Sequence, residues 1–246
     1  MLPAVTEITD HYLRVADEVA PGLVTGLHLT GSVALGAWRP PHSDIDAVVV
    51  TSRPADAVEL AAVHARVPAL LECVYLDEET FATQPADGRV VPFSVDGKIV
   101  TDRPCGNLNP VQWLTLRRYG IAVRGELPDY QVSLAELWNY NLVNLREYWA
   151  PLAERARRTW PADGDAIAWL VQGPARLHYT RAKSDVISKA AAGRYLAALF
   201  PQWAALAERV ERFRENQVEM FTERDLDAAA DSVEAMVEDA WAQWGR

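Results

Sequence analysis

Cysteine is almost missing from this chain. Cys73 and Cys105 are the two present, with no C-x-x-C pair and no zinc-ligand spacing. That excludes a disulfide scaffold. Cys73 lies in an apolar run and reads as a small core residue. The histidines, His11, His28, His42, His64 and His178, are scattered and suggest no zinc site. Basic residues are outnumbered: 24 Lys and Arg face 34 Asp and Glu, for a formal net charge of −10. That acidity, with no basic stripe, argues against a nucleic-acid partner. No apolar run approaches the length of a membrane span, so no membrane association is expected. The first residues mix Glu7, Asp10, His11 and Arg14 into apolar positions, unlike a signal peptide. A cytoplasmic location and a monomer are expected. Repeats and low-complexity tracts are also lacking.

What is present divides the chain in two. The first half alternates helical and strand-like segments. Apolar residues at helical spacing run from Thr6 to Val19, and Pro21-Gly22 ends them. Leu23 to Leu29 reads as a strand, and Gly31-Ser32 opens a short helix. Ile45 to Val50 is a β-branched strand. A helix is expected from Pro54 to about Arg66, then a strand over Leu70 to Leu76. Val90 to Val95 and Lys98 to Val100 flank Asp96-Gly97, the signature of a tight hairpin. Pro110 to Tyr119 predicts a helix closed by Gly120. After Gly125-Glu126-Leu127-Pro128 no strand is expected. Ser133 and Glu136 predict a capping box, followed by a long amphipathic helix. Further helices are expected over Asp165 to about Arg181, from Ser188 to Pro201, over Gln202 to Glu219 and over Asp225 to Trp244. The expected architecture is an α/β domain at residues 1–129 followed by an all-α helical bundle at 130–246.

One stretch carries the chemistry: Leu29-Thr-Gly-Ser-Val-Ala-Leu-Gly-Ala-Trp-Arg-Pro-Pro-His-Ser-Asp-Ile-Asp-Ala-Val-Val-Val50. Gly31 and Ser32 lie between a strand and a helix start, where free backbone N–H groups attract anions and a glycine admits a phosphate. Asp44 and Asp46 are two apart at a strand start, which sets both carboxylates on one face. Two such charges call for a cation between them, and hard oxygens beside a phosphate site suit Mg²⁺. Two Mg²⁺ ions would align a triphosphate and lower the pKa of an attacking hydroxyl. Glu72 is a lone charge inside the apolar run Leu70-Leu-Glu-Cys-Val-Tyr-Leu76 and so needs a partner or a metal. On a neighbouring strand it would serve as general base or as a further ligand.

A Gly-Ser pair, a spacer and Asp-x-Asp on a strand resemble the nucleotidyltransferase superfamily typified by DNA polymerase β, a mixed-sheet fold. In the helical half, Arg176-Leu-His-Tyr-Thr180 and Ser188-Lys189-Ala-Ala-Ala-Gly193 resemble the aminoglycoside adenylyltransferases that modify streptomycin and spectinomycin. The resemblance implies ATP between the two domains and two Mg²⁺ ions at Asp44, Asp46 and Glu72. It implies Ser32, Ser43, Arg176 and Lys189 toward the phosphates, and Glu72 as base. It implies transfer of AMP to a hydroxyl of a cationic small molecule, with pyrophosphate released, and a role in antibiotic resistance. Where the family places its drug-holding acidic and aromatic residues, this chain offers Trp160, Asp163, Asp165 and Trp169. The helix reaching Arg214-Glu215-Asn216 lacks the tyrosine the family would place there. The rival readings are transfer to a protein hydroxyl or another metabolite, and an inactive nucleotide-binding regulator.

Overall fold

The computed structural model describes residues 2–85, 89–127 and 129–245. Pro128, expected in the linker, lies outside them. The chain separates into two compact units, Met1–Val132 and Ser133–Arg246.

The first unit is built on a mixed sheet of six strands in the order β5-β4-β3-β2-β1-β6. Its elements run α1 (Pro3–Val19), β1 (Val24–Leu29), α2 (Gly31–Ala34), β2 (Ile45–Thr51), α3 (Ala57–His64) and β3 (Leu71–Asp77). They continue through α4 (Glu78–Ala82), β4 (Phe93–Val95), β5 (Lys98–Val100), α5 (Pro110–Tyr119) and β6 (Ile121–Arg124). β2 and β3 run parallel, and the other neighbours are antiparallel. Alternation explains the layers. Ile45, Ala47 and Val49 of β2 with Leu71, Cys73 and Tyr75 of β3 enter a core shared with Tyr12 and Leu60. Val48, Val50, Val74 and Leu76 enter a second core with Phe93, Trp113 and Leu116. Cys73 is a buried core residue, as expected.

Three local differences from the sequence expectations have simple causes. α3 starts at Ala57, not Pro54, because the Asp56 carboxylate accepts from Val58 N and Glu59 N and fixes the cap. The hairpin strand starts at Phe93, not Val90. Its turn has Asp96 and Gly97 at φ +50° and +72°, the positive pair that a primed turn demands. β6 is a strand no local pattern announced; it pairs with β1, far away in sequence.

The second unit is helical: α6 (Leu134–Asn144), α7 (Ala150–Thr159), α8 (Gly164–Lys183), α9 (Lys189–Leu199), α10 (Ala204–Arg214) and α11 (Glu223–Trp244). A π-helical turn, Leu145–Trp149, joins α6 to α7. Pro151 lacks the N–H that a regular helix would return toward residue 147, and the wider turn carries the chain past it. Ser133, Asp163 and Ser188 cap α6, α8 and α9 through their side-chain oxygens. The core of this unit centres on Leu145, Trp149, Ile167, Leu170, Leu226 and Val233. Among the described residues, no helix is long and apolar enough to cross a membrane.

Candidate active site

β1 delivers the chain into a tight elbow. Thr30, fully buried, donates its N–H to the Asp46 carbonyl at 2.9 Å. Gly31 follows at φ +57°. A Cβ there would fall 2.0 Å from Asp46 Oδ2, so no other residue fits beside that carboxylate. Two further bonds tie the elbow to the acidic loop: Ser32 Oγ donates to the Asp44 carbonyl at 3.4 Å, and Trp38 Nε1 donates to the Ser43 carbonyl at 3.0 Å. The expectation that Gly31 admits a phosphate is joined by a second reason for glycine, which is the space that Asp46 occupies.

Strand register assembles the acids. Asp46 of β2 and Glu72 of β3 are direct partners in the parallel pair. They form the first rung of the face whose next rungs are Val48–Val74 and Val50–Leu76. Asp44 stands immediately before β2 and is exposed, while Asp46 and Glu72 are half-buried. Partial burial, and after it the charges of Asp44 and Asp46, pushes the Glu72 carboxyl up to about 7. A hydrogen bond from the Asp96 backbone N–H works against that rise, although the Asp96 carboxylate adds to it. Asp96, a turn residue by its sequence pattern, is thus a neighbour of Glu72. The signal was available: an antiparallel strand after β3 returns its hairpin tip to the start of β3.

The remaining candidates lie in the helical unit. Arg176 is half-buried on α8. Lys189 opens α9 directly after its Ser188 cap, with Nζ 5.7 Å from the centroid of the Trp169 ring. The four acceptor candidates separate by what they do. Trp160 packs against the helical core. Asp163 accepts from Ala166 N at 2.8 Å and caps α8. Asp165 and Trp169 are exposed and four apart on α8, which sets them on one face.

Known proteins resemble this chain in domain type and in fold. The family model described as "Nucleotidyltransferase domain" matches residues 13–95, a span that holds the elbow, the Asp-x-Asp strand and Glu72. The first unit contains a nucleotidyltransferase domain. Among solved structures, the chain is similar to spectinomycin adenyltransferase AAD(9) from Enterococcus faecialis, solved with ATP and spectinomycin. The TM-score is 0.72 at 13% identity, covering 94% of this chain and 98% of that one. The two chains share a fold, a mixed-sheet domain followed by helices. No curated protein matches the sequence. The resemblance read from the Gly-Ser and Asp-x-Asp pattern therefore holds for the nucleotidyltransferase domain and for the overall fold.

The acidic rung of the nucleotidyltransferase domain fits Mg²⁺ in its donor chemistry. Among the described residues, no three His, Cys, Asp or Glu side chains converge into a closed metal cage. Mg²⁺ does not require one: it is held by one or two carboxylates, with water and substrate phosphates completing the shell. The rung of Asp46 and Glu72, with Asp44 exposed beside it, offers that open set.

Proposed function

We propose that this nucleotidyltransferase moves AMP from ATP to a hydroxyl of a cationic small molecule, an aminocyclitol or aminoglycoside such as spectinomycin or streptomycin. The observation that carries the reading is the Asp46–Glu72 rung with Gly31 pressed against it. Two Mg²⁺ ions held by Asp44, Asp46 and Glu72 would neutralise phosphate charge and acidify the acceptor hydroxyl. Glu72 is assigned the role of general base that takes the acceptor's proton. The freed oxygen bonds to the α-phosphorus, the bond to the leaving pyrophosphate breaks, and the products are an AMP ester and pyrophosphate. Ser32, Ser43, Arg176 and Lys189 are assigned to the nucleotide's phosphates. Positioning and charge neutralisation supply most of the rate in such transfers.

For the acceptor, Asp165 and Trp169 carry the assignment. An exposed carboxylate suits a cationic acceptor, and the solvent-facing part of the Trp169 ring lies on the same helix face. Asp163 and Trp160 take the lesser part, since capping and packing already engage them. The biological role that follows is resistance to such an antibiotic.

The test is pyrophosphate release from ATP and Mg²⁺ across a panel of aminocyclitols and aminoglycosides, with Asp46→Asn as the blank. Release with spectinomycin or streptomycin that vanishes in the blank supports the proposal. Metal-dependent ATP binding without release on any drug sinks the acceptor class and leaves nucleotidyl transfer to a protein hydroxyl or a metabolite.

A further inference from the structure

The helical unit carries an aromatic seat for a cation. Lys189 Nζ, 5.7 Å from the Trp169 centroid, is within the range at which an ammonium is drawn to the face of an indole. Trp169 is 41% exposed, so one part of its ring meets solvent. Another part is backed by Trp149, with centroids 5.3 Å apart and planes inclined at 38°. Trp149 itself is buried, and two features aim it there. It ends the π-helical turn Leu145–Trp149, whose wider spacing sets its place along the helix. It also fits against α8 because residue 173 is glycine: a Cβ at Gly173 would lie 2.0 Å from Trp149 Cη2. The order of support therefore runs from Gly173 to Trp149, to Trp169, to Lys189. A lysine at the first position of a helix faces the positive end of the helix dipole. The negative face of Trp169 offsets that cost and restricts where the ammonium sits.

We infer that Trp169 is a positioning residue for Lys189: it holds the ammonium at the start of α9, ready for the terminal phosphates of the nucleotide. This rests on the proposed contact between Lys189 and the triphosphate. Preordering a flexible side chain removes part of the entropy cost of binding, so the effect falls on nucleotide affinity.

The experiment is calorimetric titration of the full-length protein with MgATP, using the wild type, Lys189→Ala, Trp169→Ala, Trp169→Leu, Trp169→Phe and the Lys189→Ala/Trp169→Ala double variant. Thermal melting of each checks folding, and Trp169→Leu keeps bulk should the alanine variant melt early. Loss of the ring is expected to weaken MgATP about three- to tenfold, the size of a partly exposed cation–π contact. Trp169→Phe keeps a ring and should stay within about twofold of wild type. The double variant should bind no more weakly than Lys189→Ala alone, because the ring acts through the lysine. Wild-type affinity in Trp169→Leu, or full additivity in the double variant, overturns the seat. Wild-type affinity in Lys189→Ala overturns the triphosphate contact itself, and the seat with it. Weakening by Lys189→Ala but not by either ring deletion removes the seat alone.

Discussion

The two units gather their functional groups by different physics. In the first, hydrogen-bond register does it: β2 and β3 run parallel, and their pairing sets Asp46 against Glu72 without any side-chain packing. In the second, packing does it: Lys189 meets Trp169 because α8 and α9 lie together and because Trp149 has a glycine to rest on. A register is discrete, and a slip of one residue would send every side chain to the other face. A packed helix pair can shift by fractions of an ångström. The acidic rung should therefore respond to substitution in an all-or-none way, and the helical site should respond by degrees.

The largest effect is expected at the rung. Glu72→Gln should lower turnover about 10²–10⁴-fold, the usual weight of a general base, with the fold retained. Asp46→Asn should abolish pyrophosphate release while relieving repulsion, so the Glu72 carboxyl should fall below about 7, since Asp46 is among the charges that raise it. Carboxyl-detected NMR of Glu72 in the metal-free Asp46→Asn protein reads this directly. An unchanged titration would mean that burial and the remaining carboxylates, Asp44 first among them, set the value.

Acid stability offers a second contrast. His64 is buried in the first unit, with Nε2 2.7 Å from the Tyr75 hydroxyl, no carboxylate partner among the described residues, and a pKa lowered by burial to about 4. His178 is buried in the helical unit, but its Nε2 lies 2.8 Å from Asp239, which opposes the lowering caused by burial. The folded first unit keeps His64 neutral, whereas the unfolded chain takes up a proton below its ordinary value of 6.5. The stability from neutral His64 is thus complete above about pH 6.5 and lost as pH falls toward about 4, a span worth about 3 kcal/mol. Urea unfolding of the first unit at pH 7 and pH 4.5 should show a loss that His64→Gln reduces. Equal losses in both proteins would assign the acid sensitivity elsewhere.

Two glycines with similar backbone angles sharpen the account of the elbow. Gly31 and Gly36 sit at φ +57° and +63°. A Cβ at Gly36 meets nothing within 4 Å, whereas one at Gly31 meets Asp46. Each substitution to alanine should cost about 1–2 kcal/mol from the left-handed backbone. Gly31→Ala alone should also destroy turnover, by displacing the Asp46 carboxylate. If both variants keep turnover, the close contact between Gly31 and Asp46 has no catalytic weight.

The same division governs how far the site could be read from the residues alone. Asp44, Asp46 and Glu72 were legible because a strand has a period of two and because a charge inside an apolar run is conspicuous. The capping roles of Ser133 and Ser188 were legible because a cap is local. Asp96 was not recognised as a neighbour of Glu72, since that contact exists only after a hairpin folds back along β3. β6 was missed because its partner β1 lies far back in the chain and four residues carry no periodicity of their own. The meeting of Lys189 with Trp169 was hidden for a further reason. The π-helical turn adds a residue to a helical pattern without breaking it, so helical spacing read from the residues loses its register before Trp149.

The smallest effect separates two aspartates on the same helix end. Asp163 accepts from Ala166 N at 2.8 Å and is the cap of α8, whereas Asp165 is exposed in the first turn. Asp163→Ala should cost about 1 kcal/mol of stability in the helical unit, the usual price of a lost cap. It should leave the acceptor KM unchanged, because its carboxylate is already turned to the backbone. Asp165→Asn should instead raise the acceptor KM a few-fold, since an exposed carboxylate attracts a cation. Acceptor kinetics and thermal melts of the two variants decide the matter. A KM change in Asp163→Ala without one in Asp165→Asn would exchange their roles and move the acceptor toward the loop before α8.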